Sequence, residues 1–286
     1  MMRLWFLGSL LLALNAVAAP ALLPEKLLQQ IGAEQQRVAA AIKNASTEQA
    51  DKLYVSHRKN MENFIGRLSE SEHDVLMNYL DNYFIYNEKT YEYKPTATII
   101  ARQKRLAKYD LEYWDVGEGL ADIRTIPKYY KERFGKKVSP VYRDYIELLA
   151  EHDKELVFND AAIAIPWSQL GKRTADWENY LIKYPSSPEK RSARCAHLIY
   201  QEAFLVGTDN TGITHDDAGQ KLTKEVKNAW RQFSRAYPKS PTTALIAQIQ
   251  KAPPYNERAR DILKKQHKKQ GITETVKSNC WQQVSI

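Results

Sequence analysis

A twelve-residue phrase occurs twice in this chain, and that repeat constrains the fold more than any other feature. Trp177-Glu178-Asn179-Tyr180-Leu181-Ile182-Lys183-Tyr184-Pro185-Ser186-Ser187-Pro188 returns as Trp230-Arg231-Gln232-Phe233-Ser234-Arg235-Ala236-Tyr237-Pro238-Lys239-Ser240-Pro241. Five positions are identical, and Tyr180/Phe233 keeps a ring. Trp, Tyr/Phe and Tyr fall at i, i+3 and i+7, which is one face of a helix. The proline after each tyrosine stops that helix, because it lacks an N–H and disfavours helix in the residue before it. Ser187 and Ser240 are placed to accept a bond from the first free N–H groups of the next helix. Pro188 and Pro241 take the first helical position, where a missing N–H costs nothing. Each copy therefore predicts an αα-hairpin. The second helices run through Ala196, Ile199, Tyr200, Ala203 and Phe204, and through Leu245, Ile246 and Ile249.

An aromatic helix, a Tyr-Pro-x-Ser-Pro turn and a small-residue helix together resemble the tetratricopeptide-like hairpins of bacterial periplasmic and envelope proteins. The resemblance covers roughly residues 166–250. It implies a helical scaffold that presents a binding groove, and it names no reaction. The copies lie further apart than the usual ~34-residue period, and the segment from Gly207 to Gly219 supplies part of the excess.

The first residues read as a secretory signal peptide over 1–18: Arg3, an apolar run from Leu4 to Leu14, and the small-residue site Ala16-Val17-Ala18. No cysteine follows the cleavage site, so a lipoprotein anchor is not indicated. The expected address is a bacterial periplasm. The two cysteines, Cys195 and Cys280, are an even count in an exported chain and predict one disulfide. The spacing is not CxxC, which argues against redox catalysis.

Forty-two Lys and Arg stand against 34 Asp and Glu, for a formal charge of +8. The basic residues concentrate in two clusters. One is Lys128, Lys131, Arg133, Lys136 and Lys137, and the other is Lys264, Lys265, Lys268 and Lys269. Nucleic acid is not expected as the partner of an exported chain. Acidic proteins, and weak contact with an anionic cell wall or membrane surface, suit these clusters better, as does a plain solvated helix face.

Along the chain, Leu23–Ile42 predicts an amphipathic helix, and Ser46-Thr47 caps a second that carries Tyr54, His57, Met61 and Leu68. His57 lies on that apolar stripe and reads as a core histidine. Ser69 and Glu72 have capping-box spacing for a third helix through Val75, Tyr79, Tyr83 and Phe84. Asn87–Pro95 reads as a polar, tyrosine-bearing linker, followed by a basic helix from Thr96 to Tyr113. A short helix closed by Gly135, a helix opened by Ser139-Pro140, the two hairpins, and a last helix opened by Pro253-Pro254 complete the series. The expected class is all-α, with an N-terminal bundle-like part followed by tetratricopeptide-like αα-hairpins. The expected divisions are the signal peptide at 1–18, a helical unit at 19–94, and a hairpin domain with a C-terminal tail at 95–286. No strand is expected.

Glu112, Asp115, Glu118 and Asp122 are spaced to share one helix face, where crowded carboxylates can raise one another's pKa as glycan chemistry requires. Glycines beside Glu118 would admit a polymer, and an ordinary charged helix face would look the same. The loop from Thr208 to Asp217 fails the EF-hand register, since Gly207 and Ala218 fall at the first and last ligand places. A looser calcium site from Asp209, Asp216 and Asp217 stays open beside a self-bonded loop. No HExxH, GxSxG, Walker or GxGxxG pattern occurs in the mature chain, and no cofactor or metal is expected. Tyrosine supplies contact area at low rotamer cost. The partner-contact candidates are therefore Tyr86, Tyr91, Tyr93, Tyr113 and Trp114. The expected function is non-enzymatic binding of another envelope or secreted protein, as an immunity protein against an envelope-targeting toxin or as an assembly adaptor. The alternatives are a peptidoglycan-acting enzyme that uses Glu118, and a binder of glycan or membrane surfaces.

Overall fold

A computed structural model describes residues 23–284, apart from 217 and the side chains after 281. The expected signal peptide lies outside the described residues. Helix α1 (Glu25–Ile42) turns back into α2 (Thr47–Ser71), which Ser46 opens with a capping box. The Gln49 N–H donates to Ser46 Oγ at 3.3 Å, and the Ser46 N–H donates to Gln49 Oε1 at 2.8 Å. Leu28 and Ile31 of α1 and Met61 and Leu68 of α2 are buried in one cluster.

The third helix departs from expectation. Helix α2 runs on to Ser71, and two short helices follow, α3 (His73–Met77) and α4 (Tyr79–Tyr83), split at Asn78. Glu72 does not reach back to cap Ser69. Its carboxylate is buried, paired with Arg102, and accepts the Tyr113 hydroxyl at 2.7 Å. Phe84 is not helical either. It opens strand β1 (Phe84–Asn87), which pairs antiparallel with β2 (Glu92–Pro95), so the expected linker is a hairpin.

Helix α5 (Ala97–Ala107) is capped by Thr96 and ends six residues short of Tyr113. Strands β3 (Leu111–Gly117) and β4 (Leu120–Thr125) follow as a second hairpin. Leu111, Tyr113, Ala121 and Ile123 face inward on alternate positions and join the cluster built by α1 and α2. That cluster spans both sides of the expected 94/95 boundary, which itself falls at the end of β2.

Helix α6 (Tyr129–Phe134), with Gly135 after it, and α7 (Pro140–His152) lead into the C-terminal half. Phe134, Val138, Tyr142 and Ile146 pack with Val38, Ala50 and Tyr54, and this joins the two halves. A small hairpin, β5 (Phe158–Asn159) and β6 (Ala162–Ile163), precedes α8 (Trp167–Lys183) and α9 (Lys190–Val206). Another, β7 (Gly207–Thr208) and β8 (Thr211–Gly212), precedes α10 (Lys224–Ala236) and α11 (Pro241–Ile249). Then come α12 (Tyr255–Lys269) and α13 (Glu274–Val284). The chain is 63% helical and its strands form separate two-stranded hairpins, so the class is all-α.

The two copies of the repeat share their turn, but the first departs from expectation at its second helix. Helix α9 begins at Lys190 after Glu189, so Ser187 and Pro188 lie in the turn, where the Ser187 hydroxyl meets the Tyr180 hydroxyl at 2.7 Å, whereas Ser240 caps α11 and Pro241 is its first residue. Tyr184 and Tyr237 leave their helices at φ −127, ψ 67 and φ −127, ψ 61. Ser187 N–H donates to Tyr184 O at 3.0 Å and Ser240 N–H to Tyr237 O at 3.1 Å. Each serine hydroxyl accepts a backbone N–H two residues on, from Glu189 and from Thr242, both at 3.0 Å. Trp177 and Trp230 are fully buried in a shared core with Phe204, Phe233 and Ile246. Gly171 lets α8 pass close to that core, since a Cβ there would meet Phe204 Cζ at 2.8 Å.

The described part of the expected tail forms α13. Cys280 is bonded to Cys195, which clamps α13 to α9. Leu198 and Ile199 are buried around the disulfide.

Candidate functional site

The β1–β2 hairpin is held at its root and bare beyond it. Phe84 packs on Tyr79, ring centroids 5.1 Å apart, and Tyr79 packs on Tyr113 at 5.6 Å. Thr96 N–H donates to Tyr83 O at 2.8 Å and closes the base. At the tip, Asn87 Oδ1 accepts the Lys89 N–H at 2.9 Å, and Tyr91 adopts a left-handed conformation at φ 57. Tyr86 and Tyr93 face each other across the strands, with ring centroids 4.9 Å apart. They are 45% and 51% exposed, Tyr91 is 79% exposed, and Ile85 on the opposite face is 65% exposed. A two-stranded hairpin alone is marginal in water. Here the Phe84–Tyr79–Tyr113 stack anchors one end and leaves both faces of the other free.

Three of the five tyrosine and tryptophan candidates thus gather on one projecting element. The other two do not join them. Tyr113 is buried, a correction to its expected role as a contact. Its hydroxyl donates to Glu72 and lies 3.2 Å from Arg102 Nε, and burial pushes its pKa up. Trp114 lies on the outer face of β3, half-buried, with the Arg124 guanidinium 3.5 Å above its ring. Ile85 was not among the candidates. Its signal was available: Phe84-Ile85-Tyr86 and Tyr91-Glu92-Tyr93 flank a polar Asn87–Thr90 segment, which is a hairpin pattern.

The acidic ladder is not on a helix, which overturns its premise. Glu112 faces Arg124 across the hairpin and pairs with it at 2.9 Å. Asp115 Oδ1 accepts the Gly117 N–H at 2.8 Å. Asp122 faces Trp114, and burial raises its pKa. Glu118 sits at φ 55 between Gly117 at φ 93 and Gly119 at φ 78. Those glycines serve a tight turn whose Gly119 carbonyl accepts the Leu80 N–H at 3.0 Å. A strand places neighbouring carboxylates on opposite faces or against cross-strand partners, so the spacing of three and four no longer brings them together.

His57 is a core residue. Its Nδ1 lies 3.0 Å from Glu34 Oε1 and its Nε2 2.8 Å from the Tyr129 hydroxyl. Burial lowers its pKa, with Glu34 opposing. Arg37, with help from His57 and Asn60 and against the effect of burial, holds Glu34 down to about 2. In the 208–217 loop, Asp216 Oδ1 accepts the Gln220 N–H at 3.1 Å and Thr214 donates to the Asp216 carbonyl at 2.9 Å. Asp217 lies outside the described residues. Among the described residues no group of three or more His, Cys, Asp or Glu side chains is placed to hold a metal, and no helix is long and apolar enough to cross a membrane.

The basic cluster near 128–137 is partly spent internally. Lys128 pairs with Glu132 at 3.0 Å, and Arg133 pairs with Asp110 at 2.5 Å while lying 3.9 Å from the Tyr129 ring centre. No protein-family model matches the chain, and neither curated proteins nor solved structures give a significant match.

Proposed function

We propose that this chain is a non-enzymatic protein-binding module of the bacterial envelope, and that it docks its partner through the β1–β2 hairpin. The single observation that carries this reading is the exposure of Ile85, Tyr86, Tyr91 and Tyr93 on one anchored projection. Tyrosine pairs of this kind combine apolar area with polar tips, which suits a protein interface. The Tyr86 and Tyr93 rings already pack against each other, tilted at 44°, so less rotamer freedom remains to be lost on binding. The projection is rooted on α4 and the β3–β4 hairpin through Phe84, Tyr79 and Tyr113. The partner is another envelope or secreted protein, and its identity separates an immunity role from an assembly role.

The test is a quantitative affinity pull-down from the native envelope, run in parallel with the wild-type chain and with the Tyr86→Ser/Tyr91→Ser/Tyr93→Ser variant. A stoichiometric protein partner held by the wild type and lost by the folded variant supports the reading. A partner held equally by both, or no partner at all, overturns it.

A further inference from the structure

A pocket of about 610 Å³ opens where the first turns of α9 meet α13 and the turn between α12 and α13. Its size is that of a small-molecule site. The Cys195–Cys280 disulfide joins its two walls. Leu198, Ile272 and Val276 supply apolar lining, and Val276 is 42% exposed.

The charge of this pocket is one-sided. Lys190, Arg191 and Arg194 line it, all three exposed, and among the described residues no acidic side chain does. Lys190 and Arg194 are four apart on α9, and Arg191 and Arg194 three apart, so the three share one side of the helix. Among the described residues none of them has an ion-pair partner. The adjacent carboxylate, Glu189, is buried and bonded to Arg58 at 3.0 Å. Helix stability does not account for the cluster. Like charges four apart repel, and cations in a first turn oppose the helix dipole. Lys52 and Lys172, by contrast, each pair with a carboxylate on their own helix, Glu48 and Asp176.

These groups define the chemistry of the guest. Three cations call for more than one negative charge. A carboxylate has a single charge and two oxygens, which one arginine fork satisfies. A phosphate monoester carries about −1.5 to −2 charges at pH 7 and three acceptor oxygens, enough for both guanidinium groups and the lysine ammonium. Asn279 on α13 brings amide donors to the same pocket. Val276, Ile272 and Leu198 offer nothing to a free inorganic ion, but they gain by covering the apolar part of an ester.

We propose that this pocket binds a phosphate monoester with an apolar body, its phosphate held by Lys190, Arg191 and Arg194 and its apolar part laid against Val276, Ile272 and Leu198. The proposal does not rest on the β1–β2 hairpin, and the triple tyrosine variant keeps this binding.

The experiment is an NMR titration of the disulfide-intact, isotope-labelled chain at low salt. The probes are monohexyl phosphate, inorganic phosphate and hexanoate. Amide signals of Arg191, Arg194, Val276 and Asn279 are expected to shift and saturate with monohexyl phosphate, and to respond more weakly to the other two. Arg191→Gln/Arg194→Gln should weaken monohexyl phosphate roughly tenfold or more. Arg260→Gln/Lys264→Gln removes the same charge from α12 and should leave that affinity unchanged. Val276→Ser should weaken monohexyl phosphate roughly threefold and spare inorganic phosphate. All five substituted side chains are exposed, so the fold is expected to survive each change. No saturable shift with monohexyl phosphate, or equal losses in the two charge variants, overturns the proposal. So does equal affinity for inorganic phosphate, which would mean an adventitious ion only.

Discussion

Trp281 packs against Phe158, 5.1 Å between ring centroids, although the two residues lie at opposite ends of the C-terminal half of the chain. The contact exists because the residue before Trp281 is covalently bound to Cys195 on α9. The disulfide therefore acts on the fold and on the pocket it lines together.

Reduction should separate these effects from the rest of the core. The bonded cysteines are 85 residues apart in sequence. In the chain-entropy model a loop of that length contributes about 4–5 kcal/mol. Cys195→Ala/Cys280→Ala is expected to lower the guanidinium unfolding midpoint and release α13, with loss of amide protection in α13 and retained protection in α1 and α2. Equal midpoints for the oxidised protein and the variant would show that the clamp stabilises nothing.

Two glycines in helices should respond in opposite directions to alanine. Nothing lies within 4 Å of a Cβ built on Gly66, in the C-terminal part of α2. Gly66→Ala should stabilise by up to about 1 kcal/mol through helix propensity. At Gly171 the same gain is opposed by contacts of 2.8 Å and 3.0 Å with the ring of buried Phe204. Overpacking of about 1–3 kcal/mol wins there, and Gly171→Ala should lower the melting temperature. Thermal unfolding of both variants checks the pair.

The Glu72–Arg102–Tyr113 group should fail asymmetrically. Both charged side chains are buried, at 4% and 8% exposure. Arg102→Met leaves a buried carboxylate without its cation, and a loss of about 3–5 kcal/mol is expected. Glu72→Gln combined with Arg102→Met should recover part of it. Tyr113→Phe removes the hydroxyl's two bonds, to Glu72 and from Arg102, and should cost about 1–3 kcal/mol. Chemical denaturation of the series would refute the account if Tyr113→Phe proved the most damaging change.

Stability should fall in acid through Glu34. Its pKa is depressed from 4.5 to about 2, first by the hydrogen bond from Arg37. A depressed carboxylate binds fewer protons folded than unfolded below pH 4.5, so its contribution is full above 4.5 and lost as pH falls toward about 2. Buried His57, with its pKa below 6.5, adds a loss that begins as pH drops below that value. Glu34→Gln should flatten the dependence of unfolding free energy on pH over the lower window. An unaltered slope there would assign the acid loss to other carboxylates.

The helices of the repeat were legible because their signals are local. Proline after Tyr184 and Tyr237, serine three residues beyond, and an aromatic stripe of helical period act within one turn of chain, and both copies close with the same bonds. The Ser46–Gln49 capping box was legible for the same reason. The hairpins of the N-terminal half were not. Leu111, Tyr113, Ala121 and Ile123 alternate as a strand requires, but acidic spacing over the same residues also fits a helix, and only the cluster with Met61 and Leu68 selects the strand. Glu72 carried a capping-box spacing that lost to a long-range partner, Arg102.

Sequence alone determined the helical class, the turn chemistry of the two αα-hairpins, and a pair of cysteines suited to one bridge. These are decided by backbone sterics and by groups a few residues apart. Tertiary structure decided which tyrosines are exposed, which carboxylates are paired, and that Val276 shares one pocket with Lys190, Arg191 and Arg194. Burial and pairing are properties of surfaces that meet from distant parts of the chain, and no local pattern encodes which surfaces will meet.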